Sequence, residues 1–217
     1  MPKIKIVPSL LSANQERLQE EINEIEGYSD LLQLDVMDNV FVPNVTPQAE
    51  TLRRFNTKVP IDVHLMVKEP SNEYIETFIN SNKKLKINNI TVHYEACSNL
   101  NKTLEFIRKN NIIPAVAINP KTPLEKIKNV LGKVGMVVIM TVEPGFSGQQ
   151  FIESCMAKAK ELRKLMPEMD IEVDGGINDK TAPIAVKAGA NVLVLSSFIF
   201  KSEDKVKAIK KILDSIK

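Results

Sequence analysis

Eight short runs rich in Val and Ile recur along the chain, separated by stretches whose apolar residues fall three or four apart. The runs are IKIVPSLLS (4–12), LLQLDV (31–36), IDVHLMV (61–67), NNITVHYE (88–95), IIPAVAIN (112–119), MVVIMTV (136–142), DIEVDGG (170–176) and NVLVLSS (191–197). Each is too short for a helix and rich in β-branched residues, so each predicts a strand. The stretches between them, such as NQERLQEEINEIEGY, NLNKTLEFIRKNN, TPLEKIKNVLG, FIESCMAKAKELRKLM and DKTAPIAVKAGA, predict amphipathic helices. Eight units in 217 residues average about 27 residues each, close to the ~30 of a compact βαβ unit. A closed α/β barrel of the (β/α)8 TIM type is therefore expected, with an open doubly wound sheet as the alternative. Residues 1–217 are expected to form a single domain.

Charge and composition narrow the function classes. The chain has 29 Lys and Arg against 27 Asp and Glu, a formal charge of +2, and 43% hydrophobic residues. That is enough apolar side chain for a sizeable core, without the mark of disorder. Basic residues are scattered or gathered on helical faces and are not interleaved with aromatics, which argues against nucleic acid as a partner. Cys97 and Cys155 have no C-x-x-C partner and no His at zinc-finger spacing, so two free thiols in a reducing compartment are expected. Met1 leads directly into a strand-like run and no stretch of ~18 apolar residues occurs, so the expectation is a cytoplasmic protein without membrane contact. The Lys-rich end, with Val206, Ile209, Ile212, Leu213 and Ile216 at helical spacing, reads as the last barrel helix rather than a membrane-surface helix.

In a barrel the C-terminal strand ends form the mouth where chemistry collects, so polar residues that close apolar strands are the candidates. Alternation sets Gln33 with Asp35, Asp62 with His64 and Met66, Val138 with Met140, and Glu172 with Asp174 on common faces. With those faces inward, Asp35, His64, Met66, Met140 and Asp174 gather at the mouth. Two carboxylates with an imidazole between them suit a divalent cation, with zinc, iron, manganese and cobalt all open. They suit equally a proton donor and acceptor on opposite faces of a substrate. Singly, such an Asp is a cap or turn former and such a His a hydrogen-bonded core residue; three at three strand ends are harder to explain that way. Met66 and Met140 alone read as gap-filling core, yet with Met37 they could form a soft apolar lid.

A second constellation favours anions. The segments TVEPGFSGQQFIE, DGGIN and LSSFIF, after the sixth, seventh and eighth runs, each give a Gly- or Ser-rich turn leading into a helix. Loops in these positions expose backbone amides and are the recurrent phosphate site of this barrel class.

Taken together, PSLLSAN, LDVMDNVFVPNVT, DVHLMV, ITVHYEA, INPKTP, MTVEPGFSGQQFI, EVDGGIN and SSFIF resemble the ribulose-phosphate 3-epimerase family, in order and over nearly the whole chain. The resemblance implies an isomerase for a phosphorylated ketose: one aspartate removes the C3 proton, an enediolate forms, and the other aspartate returns a proton to the opposite face. It implies Asp35 and Asp174 as that acid/base pair and, with His64 and position 33, as ligands of a divalent cation. It implies Ser9, Met37, His64, Met66 and Met140 around the sugar, and phosphate on Gly145, Phe146, Ser147, Gly148, Gly175, Gly176, Ser196 and Ser197. Self-association into a homo-oligomer follows by the same analogy.

The chain departs from the family pattern at identifiable places. Gln33 stands where the family has a histidine ligand, Asn39 and Val40 replace a glycine and a histidine, Ser147 replaces a glycine, and LSSFIF replaces a Gly-containing turn. An amide oxygen ligates a cation more weakly than imidazole, which predicts lowered zinc affinity or a different metal preference. Backbone amides survive the other changes, so phosphate binding is less affected. His93 is read as structural and Asn119 as shaping a turn. Two further readings stay open: a hexulose-phosphate 3-epimerase with the same motifs, and a non-catalytic sugar-phosphate-binding relative. Retention of Asp35, His64 and Asp174 argues against the latter, since a binder has no need of opposed proton-transfer groups.

Overall fold

The computed structural model describes residues 2–217. Its strands are β1 (Lys5–Pro8), β2 (Leu32–Met37), β3 (Ile61–Met66), β4 (Ile87–His93), β5 (Ile113–Ile118), β6 (Met136–Met140), β7 (Asp170–Asp174) and β8 (Val192–Leu195). They form one parallel sheet ordered β1-β8-β7-β6-β5-β4-β3-β2. Its two ends meet through one parallel bridge, Ser9 with Gln33. Asp30 reinforces the seam: its amide donates to the Ile6 carbonyl at 2.9 Å and its carboxylate accepts from the Ile6 amide at 3.0 Å. The expected (β/α)8 barrel is the observed fold.

Around it run α1 (Leu18–Ile25), α2 (Asn72–Ile79), α3 (Leu100–Lys109), α4 (Met156–Leu165), α5 (Thr181–Lys187), α6 (Ser197–Phe200) and α7 (Lys205–Ser215). Two connections are not α-helical. The link from β2 to β3 carries only a short 3-10 segment, Ala49–Arg53, and TPLEKIKNVLG winds as 3-10 turns over Leu124–Lys133. The second departs from the helical expectation. Its buried residues Leu124, Ile127, Val130 and Leu131 contain a repeat of three, which a 3-10 turn accommodates, beside the i, i+3, i+7 spacing of an α-helix.

Burial on both faces explains the near-continuous apolar runs, because helices cover the outside of a parallel barrel. Leu32, Leu34 and Val36 of β2 point outward into one cluster with Ile22 and Ile25 of α1, each fully buried side chain contributing roughly 1.5–3 kcal/mol. The interior is divided by chemistry. Val7, Ala115, Ala117, Val138, Met140, Val192 and Val194 form an apolar half. Strands β2, β3 and β4, together with β7 between β6 and β8, send in Gln33, Asp62, His64, Asn89, Thr91, His93 and Glu172, all with no exposed surface.

Beneath the mouth this polar half holds a carboxyl pair. Burial raises Asp62 to about 6 and holds Glu172 well above the carboxylate range, with the neighbouring Asp62 charge adding to it. A carboxyl raised on folding loses stability as pH climbs above its unfolded value near 4.3, because the chain must then fold against that group's ionisation. Glu172→Gln is therefore expected to raise the thermal midpoint by several degrees at pH 8 and by little at pH 4, a difference that calorimetry across that range reads directly.

Candidate active site

Register builds the site. Asp35 pairs with His64 across β2 and β3, while Asp174 ends β7, separated from β2 around the ring by β8 and β1. The three side chains converge: His64 Nδ1 lies 3.2 Å from Asp35 Oδ1 and 3.3 Å from Asp174 Oδ2. Gln33 reaches up from the residue below Asp35 on the same face. Its Nε2 donates to Asp35 Oδ1 at 2.9 Å and Asp174 Oδ2 at 3.1 Å, and lies 3.5 Å from His64 Nδ1. Burial pulls the His64 imidazole down, but hydrogen bonds and charge from Asp174 and Asp35 outweigh it and raise it to about 10.

Behind His64 runs a relay that the sequence reading missed. His64 Nε2 is 2.9 Å from His93 Nε2, and His93 Nδ1 faces Glu95 Oε2 at 3.5 Å. Burial lowers the His93 pKa while the carboxylates raise that of His64, so the proton between the two Nε2 atoms sits on the His64 side. Glu95 Oε1 in turn accepts from the Asn119 amide at 2.8 Å and from the Thr122 hydroxyl. Lys158 fixes that loop by donating to the carbonyls of Asn119, Pro120 and Thr122. A His two residues before a Glu at a strand end was the available signal; the neighbour it would meet was not.

Above these groups opens a cleft continuous with solvent. Ser9, Asp35, Met37, Met66, Met140, Asp174 and the loop residues Gly145, Phe146, Ser147, Gly148, Gly175, Gly176, Ser196 and Ser197 all line it. His64, expected to contact substrate as well as a cation, is fully buried outside this lining, because the two carboxylates occupy the surface in front of it. Ser9 Oγ donates to Asp35 Oδ2 at 2.5 Å. A hydroxyl string the sequence did not reveal joins Ser196 to Ser12 at 2.8 Å and Ser12 to Ser147 at 3.1 Å. The departure at Asn39 is accommodated: its φ of +57° is the left-handed conformation that Asn tolerates after Gly.

Residues 5–200 match the sequence profile described as the Ribulose-phosphate 3 epimerase family. The chain belongs to that family. It is 41% identical to a ribulose-phosphate 3-epimerase of Bacillus subtilis (strain 168), over 98% of this chain and 99% of that protein. It is also 41% identical to a ribulose-phosphate 3-epimerase of Methanocaldococcus jannaschii, over 98% and 91%. Among solved structures, a 3-hexulose-6-phosphate synthase from Salmonella typhimurium superposes with a TM-score of 0.72 at 12% identity, covering 98% of each chain, which speaks to the barrel alone.

The epimerase family's cation is tested by the donor atoms present. One atom each from Asp35, His64 and Asp174 lie within 4.8 Å of one another. Four ligands about 2.0 Å from a tetrahedral ion stand about 3.3 Å apart. The separations between atoms that could ligate, 3.2 and 3.3 Å from His64 Nδ1 to Asp35 Oδ1 and Asp174 Oδ2, match that spacing. Among the described residues Gln33 Oε1 is buried without a hydrogen-bond partner, an amide oxygen uncommitted to the protein. The residues fit the group. No helix among the described residues is long and apolar enough to cross a membrane.

Proposed function

We propose that this protein interconverts D-ribulose 5-phosphate and D-xylulose 5-phosphate by proton transfer at C3 with inversion. The observation that carries the reading is the convergence of Asp35 and Asp174, from separate strands of the ring, on one cleft. One carboxylate removes the C3 proton from its face of the ketose, giving an enediolate, and the other carboxyl delivers a proton to the opposite face. The two exchange roles in the reverse direction. When bound, a divalent cation (zinc, iron, manganese or cobalt) held by Gln33, Asp35, His64 and Asp174 supplies the Lewis acidity that makes a proton beside a ketone removable.

The remaining side chains position and shield. The Ser9 hydroxyl orients the Asp35 carboxylate, leaving the other oxygen for Gln33. His93 and Glu95 fix the His64 ring so that Nδ1 faces the carboxylates. Met37, Met66 and Met140 present an apolar wall that keeps water from the carbanionic carbon. Backbone amides of the loops at Gly145–Gly148, Gly175–Gly176 and Ser196–Ser197 receive the phosphate. By family analogy alone the enzyme is a cytoplasmic homo-oligomer of single-domain subunits.

The test follows the C3 hydrogen in deuterium oxide with each pentulose phosphate and with a hexulose 6-phosphate. Exchange with inversion, faster on the five-carbon substrates, is expected. Tight, phosphate-dependent binding without exchange in cation-loaded protein would reduce the molecule to a sugar-phosphate binder.

A further inference from the structure

Four polar atoms meet beneath the cleft, and one of them is of the wrong kind for a cation. Gln33 Nε2 occupies the corner shared with Asp35 Oδ1, Asp174 Oδ2 and His64 Nδ1. An amide nitrogen has its lone pair delocalised into the carbonyl and cannot ligate. The oxygen that could, Oε1, is buried and makes no hydrogen bond.

Hydrogen bonding dictates this orientation as long as only protein atoms fill the site. Two carboxylates that accept from Gln33 require its NH2 group, and an oxygen turned toward them would add a third acceptor to a buried cluster. A cation between the same carboxylates reverses the requirement, because it attracts the oxygen and repels the N–H dipoles.

We propose that Gln33 is a two-position amide. With NH2 inward it holds Asp35 and Asp174 together in place of the cation; after a half-turn about its last side-chain torsion, Oε1 faces inward as a ligand. The identity of the site rests on the epimerase reading, but the movement is a property of this side chain. That torsion is soft, and the exchange swaps atoms of nearly equal size, so the backbone need not shift. The layer of the barrel that carries Gln33 also carries carboxyl oxygens without partners, which are the candidates to accept from the turned NH2. Asp62 stands opposite Gln33 in the β2–β3 register with Oδ2 unpartnered, and both Glu172 oxygens are likewise unpartnered.

A histidine at position 33 would have no equivalent pair of states. The consequence is a donor set of two carboxylates, one amide oxygen and one imidazole, which is richer in oxygen and favours manganese or iron(II) relative to zinc.

The experiment uses the whole protein, freed of metal by chelation and labelled with 15N in its glutamine side chains, titrated with Zn2+ alone. The Gln33 NH2 signals, assigned by their loss in Gln33→His, are expected to exchange slowly with solvent in the metal-free protein and to move on addition of one equivalent. Calorimetric affinities for Zn2+ and Mn2+ supply a second readout. Gln33→His is expected to raise the preference for Zn2+ about tenfold or more, and Gln33→Leu to weaken both ions about tenfold. Signals unmoved by saturating Zn2+, absence of binding at millimolar ion, or Gln33→Leu binding as tightly as the parent would each overturn the proposal. If the amide responds as expected but no C3 exchange occurs, the epimerase reading fails and the two-position amide stands.

Discussion

Asp174→Asn is expected to lower turnover about 10²- to 10⁴-fold, the range of a lost general acid/base, while leaving the protein folded. Asn is isosteric and retains an oxygen where Gln33 and His64 meet the carboxylate, so the loss falls on proton transfer more than on architecture. Asp35→Asn should lose a comparable factor. The informative difference lies in exchange. Each variant keeps one functional carboxylate, so each is expected to exchange the C3 hydrogen of only one epimer with solvent deuterium, and the two variants should select opposite epimers. Proton NMR of the C3 signal in deuterium oxide reads this without coupling enzymes. Inversion retained within tenfold in either variant would mean that the second proton comes from elsewhere.

The phosphate end should be just as sensitive, for steric reasons. Gly175 has φ +121°, and a Cβ there would sit 2.5 Å from Val142 Cγ2; at Gly176, φ is +67° and a Cβ would sit 2.7 Å from the Phe151 backbone nitrogen. Alanine at either place combines an unfavourable conformation with a contact that one loop must relieve by moving. Gly175→Ala is expected to cost about 2–4 kcal/mol of stability. Because the Thr141 hydroxyl donates to the Gly175 carbonyl, the strain spreads to the loop after β6. Inorganic phosphate should then inhibit about tenfold less well, each tenfold being about 1.4 kcal/mol, with KM rising more than kcat falls. Chemical denaturation and inhibition titrations separate the two effects.

What the sequence made legible followed from periodicity. Alternation set Asp35, His64 and Asp174 each on a definite face of its strand, the barrel reading took those faces as inward at the mouth, and the fold brings β2 and β7 within reach of one cleft. What stayed hidden depended on register and on atoms rather than residues. The β3–β4 ladder shifts by one between Ile61 and Asp62, pairing His64 with Thr91 and bringing the His93 ring against that of His64. No pattern along the chain announces that irregularity, so His93 read as structural. The orientation of Gln33 was equally invisible, because it is set by two carboxylates contributed from different strands. The stretch after β5 misled because its buried Leu124, Ile127, Val130 and Leu131 satisfy an α-helical template and a tighter coil alike.

The single bridge between Ser9 and Gln33 has a mechanical consequence. Every other neighbouring pair of strands is laced by a full ladder, so β1 and β2 form the join that fluctuations can part most readily. Asp35, proposed above as one of the two proton-transfer groups, is stapled across that join by the Ser9 hydroxyl, so parting the weakest edge of the cylinder would displace it. Warming should therefore silence such an enzyme by unzipping one edge well before the cylinder as a whole collapses.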